Sequence, residues 1–307
     1  MLTRRDFMQV TAATAVLLGG APFYKLAAQQ KITQEKLLEF SPVGQVTLLN
    51  FTDCHAQLMP LYFREPSMNY GVGSAHGLPP HITGKNILNY FDLKTGTPEA
   101  YAFSSFDHIA LSNAYGKIGG MAQMATLIKA IRADRGTKTL LIDCGDTWQG
   151  SYSSLQTRGD DMVEVMNAMG VDLMTAHWEF TYGADRVKEL IKKLKFPFLA
   201  ANVTDTEWEE PVFKDIAYFE RGGIKIGVIG QAFPYTPISN PRYMIPNWSF
   251  GIQEEKIRES IKKARAAGAE LVVLASHNGF DVDRKLASRV NGIDVILTGH
   301  THDAIPG

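Results

Sequence analysis

Five short clusters carry side chains able to bind cations: Asp53-Cys54-His55, Gly145-Asp146-Thr147-Trp148-Gln149-Gly150, Ala176-His177-Trp178-Glu179, Ser276-His277-Asn278 and Gly299-His300-Thr301-His302. Together they contain two aspartates and five of the chain's eight histidines. A histidine met singly is most often packed in a core, and a lone aspartate at a strand end is most often a cap. These clusters differ because each sits where a strand ends or a helix begins, so that in folded sheets they would gather along one edge. Asp53, His55, Asp146, His177, His277, His300 and His302 are therefore the candidate metal ligands. Carboxylate with imidazole suits Mn, Fe, Co or Zn, whereas a structural zinc knot would call for more thiolates. Seven donors exceed what one catalytic metal needs and suit two metals that share a bridging carboxylate. Two cations ~3.5–4 Å apart make water a nucleophile at neutral pH and neutralise a tetrahedral oxyanion.

The elements that must position these groups alternate along the chain. Residues 45–51 and 138–143 read as strands, and between them Met121, Met124, Ala125, Ile128 and Ile131 recur at helical spacing before a helix stop at Gly136. Further on come a helix carrying Met162, Val163, Met166 and Met169, a short strand over 172–175, a helix with Val187, Leu190, Ile191 and Leu194, and a strand over 197–201. A hairpin turning at Arg221-Gly222-Gly223, a strand over 224–229, an amphipathic helix over 254–267 and strands over 271–275 and 293–298 complete the pattern. This predicts an α/β fold in which helices sandwich sheets and functional groups lie in the loops after strands. The stretch 60–116 breaks the rhythm: it is rich in Gly, Pro, Asn, Ser and Tyr, and its aromatics are dense enough to predict an ordered insertion. Its His76, His81 and His108 read as surface or loop-packing residues.

The 307 residues are 45% hydrophobic and 21% charged, ordinary for a folded chain. Thirty-one basic against 32 acidic residues leave a net charge of −1, which gives no broad grip on nucleic acid or an anionic membrane. Residues 1–28 read as an address: Arg4-Arg5 before Phe7, a short apolar run over 10–18, then small residues, in the order of a cleaved twin-arginine signal without stable membrane insertion. The plainer alternative is a frayed helix. Cys54 and Cys144 allow at most one disulfide and are most simply buried packing residues.

In this order over about 46–303, Asp-x-His, Gly-Asp-x-x-Gln-Gly, Glu-Phe-x-Tyr-Gly, Ser-His-Asn and Gly-His-x-His resemble the calcineurin-like metallophosphoesterase domain of the 5′-nucleotidase family. The resemblance implies a four-layer α/β/β/α sandwich over 45–307, incomplete at the C-terminus, with the family's C-terminal substrate-binding domain absent. It implies that Asp53, His55, Asp146 and His302 hold one metal. Asp146 would bridge to a second, completed by His277, His300 and the residue at Ala176-His177.

The departures from that family are informative. Aligning Glu179-Phe180-Thr181-Tyr182-Gly183 with the family's Glu-Phe-Asp-Tyr-Gly puts His177 where a ligating Asn is usual and Trp178 where a catalytic His is usual. Thr181 then stands in place of the Asp that orients that His. An indole neither carries positive charge nor shuttles a proton. Decay alone would not be expected to keep every ligand position, nor to insert another competent ligand. With the twin-arginine signal, Asp-Cys-His-Ala-Gln, the insertion and His-Trp-Glu-Phe-Thr-Tyr-Gly, the chain is similar to the SoxB thiosulfohydrolases. That resemblance implies a periplasmic dimanganese hydrolase releasing sulfate from R-S-S-SO3−, carried by a cysteine near the flexible C-terminus of a sulfur carrier protein. A persulfide leaves more readily than an alkoxide, which makes the missing His-Asp pair tolerable. On this reading Asp146 and Trp178 act in catalysis, Trp178 walls the substrate sulfur, and the insertion narrows the entrance. Arg64 is a candidate partner for the sulfonate, with a solvated arginine as the plainer role. The alternatives are a periplasmic 5′-nucleotidase or related phosphoesterase, and a non-catalytic metal-binding or carrier-docking fragment.

Overall fold

The structure is a computed structural model that describes residues 44–62 and 71–303. The signal read over 1–28 and the candidate Arg64 lie outside the described residues. The described chain divides into two units, one containing residues 57–133 and the other residues 44–56 and 134–302.

The first unit contains most of the insertion. It is helical: α1 Gly84–Tyr90, α2 Pro98–Phe103, α3 His108–Tyr115 and α4 Met121–Arg135, the last two residues of which count with the second unit. Pro98 at the first position and Thr97, whose hydroxyl accepts from the Ala100 N–H at 3.2 Å, start α2. Ile82, Leu88, Ala100, Tyr101, Leu111 and Tyr115 form its core. The tyrosine hydroxyls are satisfied within it, Tyr101 donating to Gly116 O at 2.7 Å and Tyr115 to Gly96 O at 2.8 Å. The expected order is thus present, but as helices too short for their apolar spacing to stand out among the Gly and Asn around them. His108 stacks on Tyr101 and donates to Tyr62 O, and His76 contacts Gly71 O, as loop-packing residues do.

The second unit holds two sheets. β1 Thr47–Phe51, β2 Thr139–Asp143 and β3 Leu173–Met174 pair in parallel in that order. A ribbon of β4 Thr204–Asp205 and β7 Trp248–Ser249 stands apart. The second sheet runs β5 Ile216–Arg221, β6 Ile224–Gln231, β8 Leu271–Ser276 and β9 Val295–Thr298, with β6, β8 and β9 parallel. β5 joins β6 through the predicted two-residue turn, in which Gly222 and Gly223 take φ of 58° and 78°. The helices of this unit are α5 Tyr152–Thr157, α6 Asp160–Met169, α7 Ala184–Ile191, α8 Thr236–Ser239, α9 Glu254–Ala266 and α10 Phe280–Ala287.

Strand alternation sets the layers. Leu140 and Ile142 of β2 meet Ile226, Val228, Val273 and Ala275 of the second sheet, forming the seam between sheets. The residues that alternate with them on β8, Val272 and Leu274, face the other way, onto Ile257, Ile261 and Ala264 of α9 and Leu286 of α10. β2 is buried at every position, which requires cover on both faces, and α6 buries Met162, Val163 and Met166. The result is the α/β/β/α layering that the family resemblance implies. Among the described residues no helix is long and apolar enough to cross a membrane.

One expected strand is absent. Residues 197–201 make only isolated bridges, Phe198 with Met174 and Leu199 with Lys214. The physical reason is that this segment crosses from one sheet to the other. Leu199 N–H donates to Met174 O on β3, then Ala200 N–H to Lys214 O and Ala201 N–H to Gly230 O on β6, so no ladder lasts beyond a residue or two. Gly230 permits the crossing, since a Cβ there would collide with Leu199.

Candidate metal centre

Each candidate ligand lies just past the C-terminal end of a strand: Asp53 and His55 after β1, Asp146 after β2, His177 after β3, His277 after β8, His300 and His302 after β9. Strand pairing continues into these loops. Asp53 N–H donates to Gly145 O at 2.9 Å and His55 N–H to Asp146 O at 2.8 Å; on the second sheet His277 N–H donates to Gln231 O at 2.8 Å and Gly299 N–H to Ser276 O at 3.0 Å. Five of the ligands then adopt left-handed backbone, with φ of 53° at Asp53, 45° at His55, 58° at Asp146, 84° at His300 and 53° at His302. Such conformations cost non-glycine residues of order 1–3 kcal/mol each and concentrate at functional sites. Gly299 of the Gly-His-x-His motif has a packing reason: a Cβ there would overlap Thr52 Oγ1 and lie 3.0 Å from both Asp53 Oδ2 and His277 Nδ1.

The seven side chains converge in two groups. Asp146, His177, His277 and His300 form one; Asp53, His55 and His302 form the other, each with donor atoms within 4.8 Å of one another. In the first, Asp146 Oδ2 is 2.9 Å from His177 Nδ1 and 3.0 Å from His277 Nε2. In the second, Asp53 Oδ1 is 3.0 Å from His302 Nε2. The groups touch: Asp146 Oδ2 is 3.8 Å from His55 Nε2, and Asp53 Oδ1 is 3.7 Å from His277 Nε2. Asp146 thus has the placement a bridging carboxylate needs.

The donor set fits divalent cations. His55 Nδ1 donates to Gln149 O at 3.1 Å and His277 Nδ1 to Cys144 O at 2.6 Å, which aims both Nε2 atoms into the clusters. His55 Nε2 and His302 Nε2 face each other at 3.2 Å. Two imidazole lone pairs so placed need a cation or proton between them.

Electrostatics favour the same outcome. Burial alone would raise the Asp146 pKa, but hydrogen bonds from His177 and His277 hold it well below the usual carboxylate range. Burial lowers His177, and burial with its neighbours His277 and His177 pushes His300 down to about 4, both shifts in the direction of the neutral imidazole that a cation needs. His277 goes the other way. Burial opposes its charge, yet the Asp146 hydrogen bond and the charges of Asp146 and Asp53 carry it up to about 9 from 6.5.

A pH dependence follows. Because the folded pKa of His277 is raised, its stabilisation of the metal-free fold is complete below about 6.5 and is lost as pH rises through about 9. A cation must displace that proton, so metal affinity should rise about tenfold per pH unit from 7 toward 9 and then level. Calorimetric titration in buffers of different ionisation enthalpy should show about one proton released at pH 7.5; an affinity flat over that range would contradict the assignment of His277.

Three neighbours shape the centre. Trp178 is 38% exposed, and its indole stands edge-on to His55 at 5.4 Å and to His177 at 6.1 Å between ring centroids. The Thr181 hydroxyl donates to Trp178 O at 2.7 Å. Phe233, which the sequence reading missed, lies 4.1 Å between ring centroids from both His177 and His300. Its only signal is its place just after β6, hidden by its apolar type. Asp283, also missed, accepts from Ser276 Oγ at 2.9 Å, Asn278 Nδ2 at 2.8 Å and Thr298 Oγ1 at 2.6 Å, tying together the ends of β8 and β9 that lead to His277 and His300. Cys54 and Cys144 are free thiols whose pKa values burial pushes well up, and they offer no thiolate.

No family model matches the chain. It is 32% identical to the snake venom 5′-nucleotidase of Naja atra over 194 residues, which are 60% of this chain and 35% of that protein. Identity to the 5′-nucleotidase of Rattus norvegicus is 28% over 206 residues, 65% of this chain and 35% of that protein. Among solved structures, the sulfate thiohydrolase SoxB of Thermus thermophilus matches with TM-score 0.83 and 41% identity over 88% of this chain and 50% of that one. The chain belongs to the SoxB and 5′-nucleotidase family of metallophosphoesterases. A second family structure, a 5′-nucleotidase precursor also from Thermus thermophilus, matches at TM-score 0.60 and 26% identity over 83% of this chain and 41% of that one. The chain spans about a third of the curated relatives' length and half of the SoxB chain. Within the family, the Asp/His clusters suit divalent metals.

Proposed function

We propose that this chain carries the metal centre of a metal-dependent hydrolase of the thiosulfohydrolase type, which removes sulfate from a cysteine-bound S-thiosulfonate on a carrier protein. The observation that carries the proposal is Trp178. Its indole stands beside His55 at the cluster where an acid-base histidine would serve an alkoxide leaving group. The higher identity to SoxB than to the nucleotidases supports the same reading.

On this proposal Asp53, His55 and His302 hold one manganese ion, and His177, His277 and His300 a second, with Asp146 shared. When bound, the two cations supply Lewis acidity toward the sulfonate and water activated at neutral pH. Water oxygen bonds to the sulfonate sulfur as the S–S bond breaks: R-S-S-SO3− + H2O gives R-S-S−, SO4 2− and 2 H+. The persulfide takes the electron pair and needs no acid. Trp178 provides an apolar wall beside it, and its backbone N–H, donating to Asp146 Oδ1 at 2.7 Å, fixes that wall to the shared ligand.

The 5′-nucleotidase reading is favoured by the curated relatives and predicts the opposite substrate order. Manganese-loaded protein given a carrier with a thiosulfonated cysteine should release sulfate, and should hydrolyse AMP about a hundredfold more slowly. Vigorous AMP hydrolysis without sulfate release would make it a nucleotidase. The proposal includes periplasmic delivery through the twin-arginine machinery by way of Arg4-Arg5, measured as the protein recovered from the periplasm.

A further inference from the structure

We infer that Glu179 is a positioning residue that sets the aim of the shared ligand Asp146, of His177 and of the Trp178 indole before any cation arrives. The inference rests on the proposed metal centre but not on its substrate. Glu179 is fully buried, at 0% exposure. One carboxylate oxygen accepts the N–H groups of Thr147 at 2.7 Å and Trp148 at 3.1 Å; the other accepts those of His177 at 2.8 Å and Asp146 at 3.2 Å. Three successive amides, 146 to 148, therefore converge on one anion, in the manner of backbone nests.

The arrangement is reciprocal. Asp146 returns the contact by accepting the Trp178 backbone N–H on Oδ1 and the His177 ring on Oδ2. The loop after β2 and the loop after β3 thus each hold the other's carboxylate. Asp146 sits at a left-handed φ of 58°, a conformation that needs outside support, and its own amide is one of the four on Glu179. A single side chain that accepts four N–H groups needs two acceptor oxygens, which a carboxylate carries.

Glu179→Gln keeps the length but replaces one acceptor oxygen by an NH2 that faces amide donors. In the full chain it should weaken manganese binding about 10- to 100-fold, the range for residues that orient ligands without touching the metal. The comparison is Val163→Ala, a cavity variant on the buried face of α6, which should lower the melting temperature and leave manganese affinity unchanged. An affinity for Glu179→Gln equal to that of the unaltered protein, or reduced no more than in Val163→Ala, would overturn the inference. Hydrogen exchange on the metal-free, unaltered protein tests it even if Glu179→Gln does not fold. The amides of Asp146, Thr147, Trp148 and His177 should exchange slowly without metal, and exchange as fast as exposed loop amides would overturn it. Sulfate release plays no part in these readouts, so failure of the substrate proposal would leave them standing.

Discussion

On the proposed two-metal centre, Asp146→Ala should take the protein from two bound manganese ions per chain to less than one and lower turnover about a thousandfold or more, the scale of losing charge stabilisation at a reacting oxyanion. Asp146 Oδ2 lies within 3.0 Å of both His177 and His277 and 3.8 Å from His55, so one substitution strips both clusters. It also leaves His277 buried without its main counter-charge. Breaking a buried ion pair typically costs about 3–5 kcal/mol, a loss His277 limits by giving up its proton. His55→Ala removes a donor from one cluster alone and should leave about one ion. Metal analysis of folded samples distinguishes the two variants, and retention of two ions by Asp146→Ala would eliminate the bridge.

On the proposed function, the paired change Trp178→His with Thr181→Asp should raise hydrolysis of alkyl phosphomonoesters such as AMP about a hundredfold while depressing sulfate release. It restores an imidazole where the indole now stands, together with a carboxylate able to orient it, and general acid catalysis is worth about 10²–10⁴ with a basic leaving group. Sulfate release should suffer because the apolar wall beside the persulfide is lost. Either single change should do less: without the added carboxylate the new imidazole is unoriented, and without the imidazole the carboxylate has nothing to orient. If the pair leaves the ratio of AMP to thiosulfonate turnover unchanged, Trp178 does not set the substrate order.

The candidate ligands were legible in the sequence because a parallel strand followed by a polar loop leaves a clear mark: an apolar run, then a short group of Asp, His and Gly. Helices covering sheets were legible for a similar reason, as apolar strands alternate with amphipathic helices along the chain, whereas the four-layer order was implied only by the family resemblance. Other features depend on tertiary placement. Residues 197–201 have the composition of a strand, and only the crossing between sheets at Gly230 prevents a ladder. Phe233 and Asp283 act on ligands distant in sequence. Glu179 stood inside a recognised motif, yet its four amide partners appear only once the loop after β2 is folded against it.

The division of ligands between the sheets has a thermodynamic consequence. Asp146 and His177 come from the first sheet and His277 and His300 from the second, while Asp53 and His55 from the first meet His302 from the second. Neither sheet owns a complete cluster, so a cation bound in either would act as a cross-brace over the apolar seam. Unfolding must release both braces, and free cation at a hundred times its dissociation constant adds about 2.7 kcal/mol per site against it. Chelation should therefore loosen the packing of one sheet on the other before it disturbs the pairing within either, making metal supply a control on the rigidity of the fold itself.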